Sequence, residues 1–234
     1  MGFQERYERV LADVAACCAQ VGRDPREVRV VAVSKAADAD ALGRAIAAGV
    51  RDFGENRPDP LLERSARFPG QAWHFIGNIQ SRRIPDIVRS STLVHSLFQE
   101  RHAAKFEAAA AEVGKVQDVL LEVNVSGEAS KSGLAPEDVS AMLARCASLP
   151  HVRVRGLMTM APQGDLAMAR ECFEGLARLR DELRSGLDGE RAAQFNDLSM
   201  GMSEDWREAV AAGATIVRIG RALFDDSFGG DPRS

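Results

Sequence analysis

A lysine placed directly after an apolar run is the residue with the clearest chemical potential in this sequence. Residues 28–33 are mostly β-branched and apolar, and Ser34 and Lys35 follow them. A lysine at the end of a buried strand can be partly desolvated, which lowers its pKa and frees the amine to attack an aldehyde. The same position also suits a lysine whose charged end reaches solvent. Position alone leaves both interpretations open.

A short turn near the C-terminus has the composition of an anion-binding site. Gly201 lies between the hydroxyl residues Ser199 and Ser203, and a helix is predicted to begin at Ser203. Backbone N–H groups, two hydroxyl donors and the positive end of a helix together form a cradle for phosphate. The alternative is that Ser203 only caps the helix, with Glu204 and Asp205 in its first turn. A bound phosphate requires both acidic side chains to face away from it.

The last apolar run, residues 215–219, contains Arg218 and is followed by Gly220. A guanidinium inside a protein needs a partner, because burying it unpaired is costly. One possible partner is a carboxylate of the protein such as Glu122. The alternative is a ligand, which Arg218 would face through a ring nitrogen or an acidic group. Gly220 allows a close approach of the backbone. Two glycine-bearing segments after the last two strands therefore indicate a phosphorylated ligand.

The elements that must position these residues alternate between strand and helix along nearly the whole chain. Eight strands are predicted at residues 28–33, 52–56, 73–76, 93–97, 118–125, 152–158, 197–200 and 215–219. This alternation predicts an α/β fold with a parallel sheet covered by helices. An open doubly wound sheet shares the pattern, but eight units in roughly 200 residues favour a closed (β/α)8 TIM barrel, whose chemistry lies at the carboxyl ends of the strands.

The domain organisation predicted from the sequence is simple. The 234 residues fit one barrel domain, 1–234, because a TIM barrel needs about 250 residues. An amphipathic N-terminal helix within residues 1–21 is expected to cap the bottom of the barrel. Residues 229–234 read as a frayed tail.

Composition narrows the functional classes. A formal net charge of −4 argues against general nucleic-acid binding, and no apolar run reaches the roughly 18 residues of a membrane span. The charged N-terminus does not resemble a signal peptide, so a cytoplasmic location is expected. The cysteines, which lie in predicted helices without a Cys-x-x-Cys pair, are interpreted as small buried hydrophobes: Cys17, Cys18, Cys146 and Cys172. The four histidines show no metal-ligand spacing.

Seven ordered segments of the sequence resemble the pyridoxal phosphate homeostasis proteins, which are single-domain relatives of the alanine racemase barrel. The matching segments are residues 31–35, 53–56, 73–77, 130–133, 156–158, 198–203 and 217–220. The resemblance extends over almost the whole chain. The resemblance implies the fold of the type III enzymes that bind pyridoxal 5'-phosphate.

The resemblance also implies roles for individual residues. Lys35 would hold pyridoxal 5'-phosphate as a Schiff base, and Arg218 would face the pyridine nitrogen. The other implied cofactor contacts belong to the phosphate cup and the pocket wall: Asn56, His74, Met158, Ser199, Gly201, Met202, Ser203 and Gly220. Judged by position alone, His74 is more often a core or rim histidine than a catalyst, and Met158 is most simply part of the barrel packing near the rim. Lys131 is expected near the pocket.

The sequence departs from the family pattern at the rim. Arg57 replaces a common tyrosine, Asn78 replaces a proline, and Arg82 and Arg83 replace an Asn-Lys pair. Asp225 stands where glycine is common. These positions concern ligand exchange and partner contacts more than cofactor binding.

The function expected from these residues is that of a carrier or buffer of the cofactor, and no catalytic residue is assigned. Racemisation needs groups on both faces of the substrate carbon, and the single tyrosine, Tyr7, lies in the N-terminal helix. An amino-acid racemase or lyase of the same fold is the alternative, and an aldolase barrel would use a lysine without the cofactor. The expected partners are the cofactor and client enzymes that depend on it, and a monomer is expected.

Overall fold

The structure, a computed structural model, describes residues 2–128 and 131–228. Eight parallel strands pair in chain order, and the last strand pairs with the first to close a barrel. The strands are β1 (Arg29–Val33), β2 (Asp52–Glu55), β3 (Ala72–Phe75), β4 (Leu93–Leu97), β5 (Gln117–Glu122), β6 (Val152–Met158), β7 (Asp197–Ser199) and β8 (Ile216–Ile219). The predicted (β/α)8 barrel is confirmed.

Side chains alternate along each strand and separate two apolar regions. One residue from each of five strands fills the centre of the barrel: Val31, Leu93, Leu120, Met158 and Ile216. The neighbours of the central valine in β1, Val30 and Ala32, belong instead to the larger cluster between strands and helices. In β1 the inward row therefore continues upward to Val33 and Lys35, so the apolar alternation itself points the lysine toward the mouth.

Helices cover the outside of the barrel. They are α1 (Phe3–Gln20), α2 (Ala39–Ala47), α3 (Pro58–Arg67), α4 (Ile84–Ser90), α5 (Glu100–Glu112), α6 (Val139–Cys146), α7 (Leu166–Ser185), α8 (Gly189–Gln194), α9 (Trp206–Ala211) and α10 (Arg221–Phe224). Asp38 and Asp165 cap α2 and α7 by accepting backbone hydrogen bonds. Helices α8 and α10 were not predicted, because segments of one or two turns are too short to show helical periodicity.

The N-terminal helix does not cap the bottom of the barrel, so that expectation was wrong. Helix α1 packs against α9, α10 and α2 in the outer ring. Phe3 contacts Phe224 beyond the end of β8, with ring centroids 5.0 Å apart. Arg23, just after α1, donates to the carbonyl oxygens of Val210 and Ala214, before β8 begins. The helix thus runs along the barrel, in the outer-ring position that follows β8.

Two sequence predictions fall on residues outside the described part of the chain, namely the frayed tail 229–234 and Ser130 of the segment 130–133. Within the described ranges, no helix is both long enough and apolar enough to pass through a membrane. Cys18, Cys146 and Cys172 are buried, as expected of cysteines that act as small hydrophobes.

Candidate functional site

Lys35 lies in the turn after β1 and its side chain is exposed. The desolvation expected of a lysine at this position is therefore not found. The turn itself is held firmly, because the guanidinium of Arg64 donates to the carbonyl oxygens of Ser34 and Ala37, both at 2.7 Å. These two carbonyls bracket Lys35, so Arg64 fixes the backbone from which the amine projects.

Arg64 is oriented by Glu55, which ends β2 and is buried. The Glu55 carboxylate pairs with Arg64 and accepts a hydrogen bond from the Ser34 hydroxyl. A buried carboxylate needs such partners, since an uncompensated charge is costly in the interior. Sequence reasoning missed Arg64. The signal that could have found it is Glu55 itself, a carboxylate at the end of an apolar strand that requires a nearby cation.

The turn after β7 is shaped by a glycine that no other residue can replace without strain. Gly201 has a φ of +87°, and a Cβ atom there would lie 2.6 Å from the Cβ of Ala209 and 2.8 Å from the Cα of Trp206. The missing side chain lets the turn pack directly onto α9. This close packing fixes the path of Met202 and Ser203, which follow it.

Ser203 is not the cap of the following helix, so that interpretation was wrong. Helix α9 begins at Trp206. The hydroxyl oxygen of Ser203 instead accepts hydrogen bonds from the backbone N–H groups of Gly220 and Ala222, at 3.3 and 3.2 Å. It thereby ties the turn after β7 to the start of α10 after β8. The two predicted phosphate segments are brought together.

Open donors remain in this turn. Within residues 2–128 and 131–228, the backbone N–H groups of Ser203 and Glu204 donate no hydrogen bond. Glu204 faces outward and pairs with Arg221 at 2.8 Å, as a phosphate cradle requires. Asp205 does not face outward: it is buried and accepts from the backbone N–H of Met202 at 2.6 Å. Burial raises the pKa of Asp205, which favours the neutral form beside an anion.

Arg218 is buried, with 4% of its surface exposed. It donates to the Ser199 hydroxyl at 2.6 Å and to the carbonyl oxygen of Thr159 at 3.0 Å. A direct ion pair with Glu122 is not found among the described residues. Burial lowers the pKa of Arg218 to about 10, against the opposing charges of Asp205 and Glu122. Its partners in the protein are thus a neutral hydroxyl and a neutral carbonyl.

Glu122 ends β5 on the inward row that includes Leu120, and it is 2% exposed. Its Oε1 atom accepts from the Ser132 hydroxyl at 2.6 Å, whereas Oε2 has no partner among the described residues. Burial raises the pKa of this carboxyl group. A buried polar atom without a partner is rare in native proteins, which makes this carboxylate oxygen at the mouth a candidate ligand contact. Sequence reasoning had named Glu122 only as an ion-pair partner.

His74 lies deeper than a pocket-wall role implies. It is buried, its Nε2 lies 3.0 Å from Asp52 Oδ1, and its Nδ1 lies 2.9 Å from Nε2 of His95. With other polar side chains it lines a cavity of about 430 Å³ at the amino ends of the strands. The charged residues of this lower cavity are Arg29, Asp52, Asp118, Arg155 and Asp197.

The remaining predicted residues surround the mouth or fill the barrel. Asn56 is exposed, and its carbonyl lies so close to Gly77 that a Cβ there would be 1.9 Å from it. Met158 is buried in the barrel centre, beneath the mouth. Lys131 pairs with Glu128 at 3.4 Å and is part of the rim.

The residues that depart from the family pattern lie at the rim. Arg57 and Arg82 are exposed. Arg83 is not merely solvated, since it pairs with Asp59 and, at 2.7 Å, with Asp86. Among the described residues, neither partner of Arg83 is Lys35.

Comparison with known proteins defines the class of this barrel. Residues 12–227 match the family described as alanine racemase, N-terminal domain. The pyridoxal phosphate homeostasis protein of Pseudomonas aeruginosa is 40% identical over 98% of each chain. That of Deinococcus radiodurans is 43% identical over 92% of this chain and 97% of its own. The structure of PipY from Synechococcus elongatus with PLP bound is 33% identical with a TM-score of 0.76, covering 90% of this chain and 99% of that one.

The class is therefore a barrel of the alanine racemase N-terminal type. Within that class, the chain belongs to the pyridoxal phosphate homeostasis protein family, as the identity over nearly the full length of its relatives shows. The resemblance that the seven ordered segments indicate is confirmed.

Proposed function

We propose that this protein binds pyridoxal 5'-phosphate through Lys35 and carries or buffers the cofactor for other enzymes. The bond would join Lys35 Nζ to the aldehyde carbon as a Schiff base, with the loss of one water molecule. The observation that supports this best is the pairing of an exposed lysine with an adjacent turn in which the N–H groups of Ser203 and Glu204 have no partner among the described residues.

The strand pairing of the barrel supports a position of Lys35 beside this turn. Strand β1 pairs with β8, with Ala32 opposite Ile219. An added Cβ on Gly220 would meet Val33 at 3.4 Å, so Lys35 projects beside the turn that Ser203 and Gly220 build. The open N–H groups of Ser203 and Glu204 would hold the phosphate, and Ser199, Gly201 and Met202 shape the cup around it.

Pyridoxal phosphate supplies a reactive aldehyde conjugated to a ring nitrogen that serves as an electron sink. Arg218 is a buried cation, and beside that nitrogen it would disfavour ring protonation and so weaken the sink. Glu122 Oε2 offers a further contact at the mouth. Asn56 would contribute to the wall, and Met158 would form the floor. A weak electron sink suits a protein that holds the cofactor rather than one that turns over amino acids.

The test uses purified full-length protein incubated with pyridoxal 5'-phosphate. We expect a visible absorption band, and after borohydride reduction we expect mass spectrometry to find one modified residue, Lys35. Lys35→Ala should abolish the band and the label while the protein stays folded. Lys131→Ala, a rim lysine in its own ion pair, is the matched control and should retain both. Equal labelling of Lys35→Ala and the native protein would overturn the assignment.

A carrier also differs from a racemase or lyase in its response to amino acids. We expect the band to persist, and no amino acid to change its chirality or composition, over a panel of substrates. Client enzymes that accept the cofactor, a monomeric state and a cytoplasmic location belong to the same proposal. Transfer to an apoenzyme, followed by the recovery of that enzyme's activity, would test the first of these.

A further inference from the structure

Five side chains from five strands form an unbroken row of hydrogen bonds through the barrel interior, which we call the polar row. It runs from Arg218 through Ser199, His95 and His74 to Asp52, with links of 2.6, 2.8, 2.9 and 3.0 Å. Arg218 lies at the upper mouth and Asp52 lines the lower cavity. The row therefore connects the two ends of the barrel.

The chemistry of its ends fixes the direction of the row. A guanidinium only donates hydrogen bonds and an ionised carboxylate only accepts them. Because Arg218 donates to Ser199, the one hydroxyl hydrogen of Ser199 is left for Nδ1 of His95. His95 then carries its hydrogen on Nε2 and donates to Nδ1 of His74, which in turn donates from Nε2 to Asp52. Every link is satisfied with two neutral histidines.

The reverse direction needs one additional proton, on Asp52 or on His74. His95 would then donate from Nδ1 to Ser199, whose oxygen already accepts from Arg218, and the Ser199 hydrogen would lose its acceptor in the row. Burial is the largest cause that keeps the pKa of His95 well below its ordinary value, and the charge of Arg218 acts in the same direction. A neutral His95 is consistent with the first direction.

We propose that His95 is a positioning residue of the cofactor site, which holds the Ser199 hydroxyl so that its oxygen lone pairs face Arg218. His95 does not touch the mouth itself. It fixes Ser199, which in turn fixes one of the two contacts that orient the guanidinium. The effect on the cofactor rests on the proposed function, whereas the direction of the row does not.

The charges that face the two histidines come from most strands of the barrel. They are Arg29 of β1, Asp52 of β2, Asp118 of β5, Arg155 of β6, Asp197 of β7 and Arg218 of β8. Among these, only Asp52 and Arg218 belong to the polar row. The others provide controls that alter the local charge without breaking a link.

The first test is ¹⁵N NMR of histidine-labelled full-length protein without added cofactor. We expect both His74 and His95 to be single Nε2-protonated tautomers, with His95 unchanged from about pH 8 to about pH 6. His151, at the surface beside Glu107, provides the reference ¹⁵N signals of a histidine outside the polar row. Nδ1 protonation of either buried ring, or protonation of His95 in this range, would overturn the proposal.

The second test removes the lower anchor. Asp52→Ala removes the carboxylate that accepts from Nε2 of His74, so the direction of the hydrogen bonds is no longer set at this end. The His74 signals should then move toward a mixture of tautomers. Asp197→Ala removes a carboxylate from the same cavity without touching the row, and should leave the His74 signals in place. Equal shifts in the two variants would mean that general charge, and not the row, sets the tautomer.

The third test measures how His95 affects the absorption band and the affinity of the cofactor site. His95→Leu cannot accept from Ser199, so the absorption band should shift and the affinity for pyridoxal 5'-phosphate should fall roughly three- to tenfold, the range of one hydrogen bond. His95→Asn places an amide near the Nδ1 position and should recover part of this loss. An unchanged band in His95→Leu, or identical effects of both substitutions, would contradict the positioning role. Borohydride labelling of Lys35 is measured separately in the native protein. If Lys35 is labelled but the His95 variants behave like the native protein, the positioning role of His95 is wrong while the proposed cofactor binding stands.

Discussion

Both ends of this barrel carry polar residues on the same inward rows, but the pairing of these residues with other groups of the protein differs between the ends. At the lower end, each carboxylate of the cavity has an arginine close by: Asp52 lies 3.6 Å from Arg29, Asp197 lies 3.8 Å from Arg155, and Asp118 lies 2.5 Å from Arg153. Opposite charges therefore compensate one another within the protein. The carboxylates of this cavity therefore need no ligand as a counterion.

At the upper end, several polar and charged groups lack such partners within the protein. Lys35 is exposed, Glu122 Oε2 is buried without a partner among the described residues, and the N–H groups of Ser203 and Glu204 are open. Native proteins satisfy nearly all buried polar groups. Buried side-chain oxygens without a partner among the described residues also occur at the lower end, in Gln71 and Gln117. The contrast therefore lies in charge: the lower carboxylates are paired with arginines, whereas the carboxylate of Glu122 forms no ion pair among the described residues.

The largest effect is expected from breaking the ion pair that the buried carboxylate of Glu55 forms with Arg64 at the upper end. Arg64→Ala leaves Glu55 buried and uncompensated, and should lower the free energy of unfolding by about 3 kcal/mol. It also frees the carbonyls that bracket Lys35, so labelling of Lys35 by the cofactor should weaken. Arg67→Ala, on the exposed side of the same helix, is the control for chemical denaturation. Equal stabilities of the two variants would show that Glu55 does not need its partner.

A slightly smaller effect is expected where the upper turn packs onto α9. Gly201→Ala combines a strained φ with a clash against Ala209 and Trp206, and should cost about 2 to 3 kcal/mol. Gly213→Ala has a φ of +101° but nothing within 4 Å of the added Cβ, so it should cost about 1 kcal/mol. The difference between their denaturation midpoints isolates packing from backbone strain. Only Gly201→Ala should also impair cofactor retention, because it displaces Ser203.

Much of this arrangement could be predicted from the sequence, because the residues concerned end apolar strands. Lys35 follows a β-branched run, Arg218 interrupts one and Ser199 ends the short strand β7. A parallel barrel brings the carboxyl ends of all its strands together. Glu55 indicates from the sequence that a cation is needed nearby, but its identity as Arg64 could not be predicted, since it depends on how α3 folds back over the turn after β1. His95 could not be predicted either. Its contact with Ser199 joins residues separated by 104 positions and exists only once the barrel closes.

The local error at Ser203 has a similar cause. A serine followed by two acidic residues has the pattern of a helix cap, and the pattern carries no information about neighbouring strands. In the folded barrel the Ser203 hydroxyl lies beside the start of α10 and accepts from Gly220 and Ala222 instead. Tertiary contacts with β8 thus override the local preference, and α9 begins three residues later.

A smaller, pH-dependent effect should distinguish Glu122 from an ordinary surface carboxylate. Burial raises the pKa of Glu122 in the folded state, so folding favours its protonated form. That stability is fully present below the unfolded pKa of about 4.3 and is lost as the pH rises through the folded pKa. Glu122→Gln should therefore gain stability relative to the native protein between about pH 4 and pH 7. Glu137→Gln, at an exposed position, should show no such trend in denaturation measured across this range.

The smallest effect is expected from a lower-end charge outside the polar row. Asp118 pairs with Arg153, whose side chain is 42% exposed, so Asp118→Asn should cost about 1 kcal/mol or less, and less still at high salt. The absorption band and the affinity for pyridoxal 5'-phosphate should be unchanged, because no hydrogen bond joins this pair to Ser199 or Arg218 among the described residues. A shifted band would mean that charge at the lower end reaches the mouth through space. An unchanged band, beside a shifted one in His95→Leu, would confine communication between the two ends to the polar row.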